Sequence, residues 1–237
     1  MGELILCSHP IAAMPYYIDN ISLNVYSLEE LCYYIENHLY LIEADFMSEE
    51  LCLWIGQELD EKDLAQSLRS VLLGNGSLSD FTELILRSCG YCSEDTIRHI
   101  RSVLLDMQNK SVFECSKIRA DRYMESEKYV KAIHEYRKLL GMEEECKKNP
   151  VLEGNIRHNL GTACAELFLF DEAAANFLNA YRLNQNRESL AACMAACRLA
   201  KKTDILKKYK EEFHVSDEAF KSMSDQWNSV LKSEDIL

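Results

Sequence analysis

Glycine and proline are scarce in this chain, whose 237 residues include 8 Gly and 3 Pro. These two residues supply most of the tight turns that a protein of many short strands requires. Their scarcity therefore argues against a β-rich fold and favours a chain built of helices. The apolar fraction of 48% and the charged fraction of 27% are those of a globular protein and argue against disorder.

Long apolar runs are also missing, since no stretch reaches the roughly 18 apolar residues needed to cross a bilayer. The first residues, Met1 to Cys7, lack the basic segment of a secretion signal. Ten Cys without an export signal are typical of a reducing compartment, where free thiols serve as small apolar residues. We therefore expect a cytoplasmic protein that does not bind membranes.

Basic residues are rare in the first half of the chain. Residues 1–110 hold 18 Asp/Glu and 6 Lys/Arg, a net charge of −12, whereas residues 111–237 carry −1. Within residues 1–68, Lys62 stands alone against 13 acids. Such a surface repels a phosphate backbone, so we expect no binding of nucleic acid. The acidic half is either a well-solvated exterior or a surface for a basic partner.

The region 1–110 is predicted to be an acidic helical domain with short N-terminal strands that form a small β-hairpin, and it resembles no family known to us. Leu4–Leu6 and the alternation at Leu23–Val25 indicate the two strands. Apolar residues then recur at three- and four-residue spacing, which predicts helices. Ser27 and Glu30 have the spacing of a capping box. The predicted N-caps of four of these helices are Ser27, Ser48, Ser79 and Ser93.

Residues 112–215 contain an internal repeat of small and aromatic residues. Counting from Ala120, the repeat continues with Tyr123, Tyr129, Ala132 and Tyr136. The same offsets from Gly161 give Cys164, Phe170, Ala173 and Phe177, with Ala180 following. Together with the pair Leu160–Gly161, this pattern resembles the tetratricopeptide repeat (TPR) family. The resemblance implies antiparallel helix pairs that stack into a superhelix. The fold class expected for the whole chain is therefore mainly all-α.

The repeats are predicted at 112–145 and 154–187, with a degenerate third unit at 188–213 and a C-terminal capping helix at 216–232. Ala120 and Gly161 are 41 residues apart, whereas the family repeats about every 34 residues. The additional residues fall in the polar run Gly141–Pro150, which is predicted to be an extended loop or helix ends. Counting about 34 residues from Gly161 places Ala195 in the third unit, but Lys207 then stands where Ala is expected.

The resemblance implies that the first helix of each repeat lines a concave groove that binds a peptide or protein partner. Chaperone-binding members hold a terminal carboxylate with basic and amide side chains in this groove. Only Asn159 matches that set, so we expect no carboxylate clamp. In the third repeat the implied groove residues are small and apolar, and the C-terminal helix, the N-terminal domain or a partner covers them. They are Ser189, Ala192, Cys193, Ala196, Leu199 and Ala200. The groove residues expected from the first two repeats are Lys117, Asp121, Met124, Asn155, His158, Asn159, Thr162 and Glu166.

The pair Cys89 and Cys92 supports an alternative function, a thiol-redox or metal-binding regulator. Two Cys separated by two residues before a helix start can form a redox motif, but such motifs follow a strand, and the preceding segment is predicted to be helical. Zinc would need further ligands, and neither His99 nor the pair Cys193 and Cys197 has the spacing of a known site. We therefore expect no catalytic residues, metal or cofactor, and a non-enzymatic scaffold.

Overall fold

The computed structural model describes residues 8–221, and these residues are almost entirely helical. Twelve α-helices have both ends within this range, together with one antiparallel sheet of two strands. The prediction of a mainly all-α fold with a small N-terminal hairpin is confirmed. The chain divides into two compact units, with the boundary between Ser111 and Val112. Every helix between residues 8 and 221 is too short or too polar to cross a lipid bilayer.

The hairpin pairs strand β1 (Tyr16–Ile18) with strand β2 (Leu23–Val25), so that Tyr16 faces Val25. Strand β2 lies where the sequence predicted it. Its partner β1 was not predicted, because Pro15 immediately before it indicated an interruption. The predicted strand Leu4–Leu6 lies outside the described residues. The turn between the strands closes with the amide of Ser22 donating to the carbonyl of Asp19 at 3.2 Å.

Five helices make up the rest of the first unit. Helix α1 packs against α4, α2 against α3, α3 against α4, and α4 against α5, which gives the unit one continuous apolar core. Two 3-10 turns, Leu39–Leu41 and Ala44–Phe46, join α1 to α2. The helices are α1 (Leu28–His38), α2 (Glu49–Gln57), α3 (Lys62–Leu73), α4 (Leu78–Cys89) and α5 (Glu94–Gln108).

Serine side chains begin four of these five helices, as the sequence predicted for Ser27, Ser48 and Ser93. Each hydroxyl accepts a hydrogen bond from the amide three residues later, at 3.1 to 3.2 Å. The predicted capping box at the first of them is incomplete, because the Glu30 carboxylate accepts from the amide of Tyr26 instead of that of Ser27. Each cap still satisfies one amide that the helix itself leaves without a partner.

The predicted helix start at Ser79 was wrong. Ser77 is the N-cap of α4, and Asp80 completes a full capping box with it. Ser79 lies in the first turn and is fully buried. The physical reason is the position of the acid, since Ser77 and not Ser79 has a carboxylate three residues later.

The second unit contains seven helices. Successive long helices pack against each other, so that α7 lies between α6 and α9, and α10 lies between α9 and α11. Because the connections within each pair are only three residues long, packed neighbours run antiparallel. The helices are α6 (Val112–Glu125), α7 (Tyr129–Gly141), α8 (Glu143–Lys148), α9 (Pro150–Glu166), α10 (Phe170–Asn184), α11 (Arg187–Leu199) and α12 (Thr203–Glu212).

The same turn joins the two helices of all three pairs, α6–α7, α9–α10 and α11–α12. Its middle residue is left-handed each time, with φ of 57° at Glu127, 60° at Phe168 and 57° at Lys201. The next amide donates to the carbonyl five residues earlier, at 2.8 to 2.9 Å. This is the hydrogen bond of a Schellman motif. The turns therefore give a structural reference point for comparing the three pairs.

Counted from these turns, the third pair is shifted by one residue from its predicted register. Lys201 follows Phe168 after 33 residues, so Met194 and Leu206 occupy the positions of Gly161 and Ala173. Ala195 was therefore the wrong equivalent for Gly161. The larger side chains at both positions explain why the sequence pattern fades in this unit.

Small residues allow the helices of the first two pairs to approach closely. Ala120, Ala132 and Ala173 are fully buried. A Cβ atom at Gly161 would come within 2.8 Å of the ring of Phe177, which shows how near α9 lies to α10. These small residues thus lie at the contacts between the paired helices.

The polar run Gly141–Pro150 and the predicted capping helix 216–232 agree only in part with their predictions. The polar run, predicted to be an extended loop or helix ends, holds the end of α7, the short helix α8 and the first residue of α9. The first turn of α8 is acidic and its last turn basic, which suits the helix dipole, and Lys147 pairs with Glu143 at 2.8 Å. Residues 217–221 are helical. The rest of the predicted capping helix, 216–232, lies outside the described residues.

Candidate functional site

The first helices of the three pairs, α6, α9 and α11, present rows of side chains with one common pattern of exposure. In each row the two end residues are exposed and the three central residues are half-buried. We call these three rows the first-helix face. They are Glu114, Lys117, Ile118, Asp121 and Glu125 in α6; Asn155, His158, Asn159, Thr162 and Glu166 in α9; and Glu188, Ala191, Ala192, Ala195 and Leu199 in α11.

The structure places seven of the eight expected groove residues of the first two repeats in these rows. The eighth, Met124, is half-buried and precedes Glu125 in α6. In the third repeat the one-residue shift changes the assignment. Ser189, Cys193 and Ala196 were implied to line the groove, but they are 0 to 3% exposed and belong to the core.

A hydrogen-bond network links the α6 and α9 rows through Asp121. The Lys117 ammonium lies 2.6 Å from one carboxylate oxygen of Asp121. The Tyr136 hydroxyl donates to the other oxygen at 2.7 Å, and the Asn159 amide donates to that same oxygen and to the Tyr136 hydroxyl, both at 3.3 Å. Burial and the neighbouring carboxylate both raise the pKa of Tyr136, which therefore stays a donor. The network fixes Asp121 before any partner arrives.

His158 continues the polar row from α9 to α11. Its Nδ1 lies 2.9 Å from the hydroxyl of Ser189, and its ring packs against Phe177 with centroids 5.2 Å apart. Burial lowers the pKa of His158, because a buried imidazole resists protonation. Within α9, the Thr162 hydroxyl donates to the His158 carbonyl at 3.2 Å. The side chains of both His158 and Thr162 are therefore fixed by hydrogen bonds.

The first-helix face is predominantly acidic. Five carboxylates and one ammonium lie in the three rows, and the ammonium, that of Lys117, is bound to Asp121. The other positions of the three rows contribute neutral amide, imidazole, hydroxyl and apolar side chains. A surface of this composition attracts positively charged segments and repels acidic ones. The five acids are Glu114, Asp121, Glu125, Glu166 and Glu188.

Cys89 and Cys92 do not have the arrangement of a redox motif, in which both thiols stand at the start of one helix. Cys89 ends α4, and Gly90 follows with a φ of 67° that terminates the helix. The Cys89 thiol is instead close to the thiol of Cys32 in α1, and the interaction of the two lowers the pKa of Cys89. Burial, together with the nearby Glu36 carboxylate, raises the pKa of Cys92 to about 11. A thiol with such a pKa is a poor nucleophile at neutral pH.

A second cluster, which the sequence did not indicate, surrounds Cys89. Glu29 lies in the first turn of α1, is 6% exposed, and accepts four hydrogen bonds at its Oε1. The donors are the amide and hydroxyl of Ser8 and the amide and Nδ1 of His9, at 2.7 to 3.1 Å. Burial raises the pKa of Glu29, but the hydrogen bonds from His9 and Ser8 lower it more, to about 2.

The metal ligands that the sequence offered for Cys89 and Cys92 do not join this cluster. His99 is exposed on α5, and Cys193 and Cys197 are buried in the second unit, where the two thiols hydrogen-bond to each other. The residues that do surround Cys89 are 20 to 80 positions apart in the chain. No local spacing signals such a group, so only the packing of α1 against α4 reveals it.

Comparisons of the chain with protein-family models, with curated proteins and with solved structures found no match.

Proposed function

We propose that this chain is a non-enzymatic cytoplasmic adaptor of the TPR type, and that its first-helix face binds a segment of a partner protein. Antiparallel pairs joined by identical turns support the assignment, as does the burial of the small residues Ala120, Gly161 and Ala173 at the helix contacts. Stacked pairs of this kind form an extended surface from equivalent positions of successive first helices. Binding is then passive, because the surface exists before the partner arrives.

The observation that carries the proposal is the hydrogen-bonded polar row across α6, α9 and α11. Two hydrogen bonds, Asn159 to Asp121 and His158 to Ser189, link the first helices of the three successive pairs. Asp121, Asn159 and His158 nevertheless remain half-exposed. Side chains that are already ordered lose little conformational entropy when a ligand contacts them. The row therefore supplies hydrogen-bonding groups in fixed positions at low entropic cost.

The charge of the face favours a basic partner. Its acids surround the neutral side chains His158, Asn159 and Thr162 at the centre of the α9 row. Glu125 and Glu166 stand at the exposed ends of the α6 and α9 rows. A peptide with Lys or Arg on either side of a polar centre would match this arrangement. We expect its affinity to fall as salt is added, since charges at exposed positions are screened within a Debye length of about 8–10 Å.

The test is a selection of displayed peptides against the full chain, followed by measurement of the selected peptides on two double variants. The first variant, His158→Ala with Asn159→Ala, removes two polar side chains from the centre of the α9 row. The second, His134→Ala with Asn179→Ala, makes the same two changes at exposed positions of the second helices α7 and α10. Two hydrogen-bonding groups are worth about 1–3 kcal/mol, or roughly a 5- to 150-fold change in Kd.

The proposal predicts basic peptides whose Kd rises in the first variant and stays unchanged in the second. Thermal unfolding of both variants shows whether the helices persist, because Asn159 also supports Asp121. Equal binding by a folded first variant and by the wild-type chain would overturn the proposal. So would a selection that yields only acidic peptides.

A further inference from the structure

Three potential metal ligands of the first unit converge although they come from three separate elements. His9 lies in the N-terminal segment, Glu29 in the first turn of α1, and Cys89 at the last residue of α4. One nitrogen, one carboxylate oxygen and one sulfur of these residues lie within 4.8 Å of one another. Zinc takes these three donor types at about 2.0–2.3 Å, which in a tetrahedron separates the donor atoms by about 3.3–3.8 Å. Small movements of the three side chains would bring their donor atoms to these separations.

An unsatisfied atom at the same place points independently to a ligand. The Oε1 of Glu29 accepts four hydrogen bonds, but its Oε2, also buried, accepts none within the described part of the chain. A buried carboxylate oxygen without a partner is costly, and native structures seldom leave one so. A cation bound to this carboxylate would remove that cost.

The surroundings of the cluster suit a metal that is held firmly and can still enter. Glu29 and Cys89 are 6% and 9% exposed, whereas the side chain of His9 is 19% exposed and leaves a route from solvent. The thiol of Cys32 in α1 donates to the carbonyl of Ile85 at 3.8 Å and so keeps its proton. The fourth coordination position is therefore left to water.

We propose that His9, Glu29 and Cys89 form a zinc site that fastens the N-terminal segment to helices α1 and α4. The mixture of one imidazole, one carboxylate and one thiolate selects zinc over magnesium and calcium, which prefer oxygen ligands alone. On binding, Zn²⁺ replaces the hydrogen bond between His9 and Glu29. The Cys89 thiol loses its proton to solvent and binds as the thiolate. If His9 is protonated beforehand, its imidazolium also releases one proton to solvent and binds as the neutral imidazole. This site is independent of the first-helix face and does not rest on the adaptor proposal.

The test begins with the full chain freed of metal by a chelator and titrated with Co²⁺ and then Zn²⁺. We expect one Co²⁺ per chain with a near-ultraviolet charge-transfer band, which requires a thiolate ligand, and we expect Zn²⁺ to displace it. Cys89→Ser should abolish the band, and His9→Ala should weaken Zn²⁺ binding by at least about tenfold. The matched controls Cys92→Ser and His99→Ala should bind like the wild-type chain.

A band that survives Cys89→Ser, or one that Cys92→Ser removes equally, would overturn the site. X-ray absorption of the zinc-loaded wild-type chain gives a test that does not depend on the folding of any variant. The proposal predicts at least one sulfur and at least two nitrogen or oxygen donors around zinc. A shell made only of nitrogen and oxygen, or only of sulfur, would refute it, as would failure of the wild-type chain to bind either metal.

Discussion

Replacing Gly161 by Ala tests how closely α9 and α10 approach. The added Cβ would lie 2.8 Å from two carbons of the Phe177 ring and 3.1 Å from a third. The ring is 4% exposed, so it can yield only by disturbing its packed neighbours. Overpacking of this kind costs about 1–3 kcal/mol, while Ala in place of Gly gains about 1 kcal/mol of helix propensity. The free energy of unfolding should therefore fall by roughly 0–2 kcal/mol.

Gly141→Ala is the matched control, because a Cβ there would meet no atom within 4 Å. This change should keep the helix-propensity gain, at most about 1 kcal/mol at the end of α7. Urea unfolding of both variants gives the comparison, with the midpoint read at an unchanged m-value. We expect Gly161→Ala to be less stable than Gly141→Ala by roughly 1–3 kcal/mol. Equal stabilisation by the two changes would refute the close packing of α9 on α10.

Three further predictions concern single side chains. Tyr136→Phe removes the hydrogen bond to Asp121 and should lower the free energy of unfolding by about 1–2 kcal/mol in urea, and an unchanged midpoint would contradict the network. Burial lowers the pKa of His158, so the free energy of unfolding should fall as pH drops below about 6.5. His158→Gln should remove the share of this fall that comes from protonation of His158. Identical profiles of unfolding free energy against pH for the two chains would show that the imidazole is not buried. Alkylation of Cys92, followed by mass spectrometry of its peptide, should accelerate up to a pH of about 11, whereas a plateau near about pH 8 would favour the redox alternative.

Local signals in the sequence predicted most helices and their starts. Ser27, Ser48 and Ser93 act as caps because each hydroxyl reaches an amide only three residues away. Where two Ser competed, at Ser77 and Ser79, the position of the following acid decided the start. Strand β1 was missed because Pro15 immediately before it indicated an interruption.

The third repeat shows where periodicity failed. Its turn residue Lys201 is left-handed without being Gly or Asn, so no residue type marked the position of the turn. Counting by the usual repeat length then assigned three buried residues, Ser189, Cys193 and Ala196, to the groove. It included Ala192 but left out Ala191 and Ala195 of the same row. A shift of one residue rotates a helix by about 100°, which is enough to exchange the exposed face for the core.

The two candidate sites differ in how far the sequence could reveal them. Groove residues such as Asn159 follow the helical period and could be predicted once the repeat was aligned. The cluster of His9, Glu29 and Cys89 depends on tertiary packing across 80 positions of the chain, and no spacing rule covers such a separation. Glu29 was especially obscure, because an acid in the first turn of a helix is ordinarily exposed.

Site-specific photocrosslinking with a selected basic peptide tests the central claim most directly, that the partner binds across the first helices. A photoreactive residue at Glu166 would stand on the first-helix face, and one at Asn179 would stand on the exposed side of α10. The account predicts efficient crosslinks from position 166 and few from position 179. Crosslinks that form equally from both positions, or mainly from 179, would contradict it.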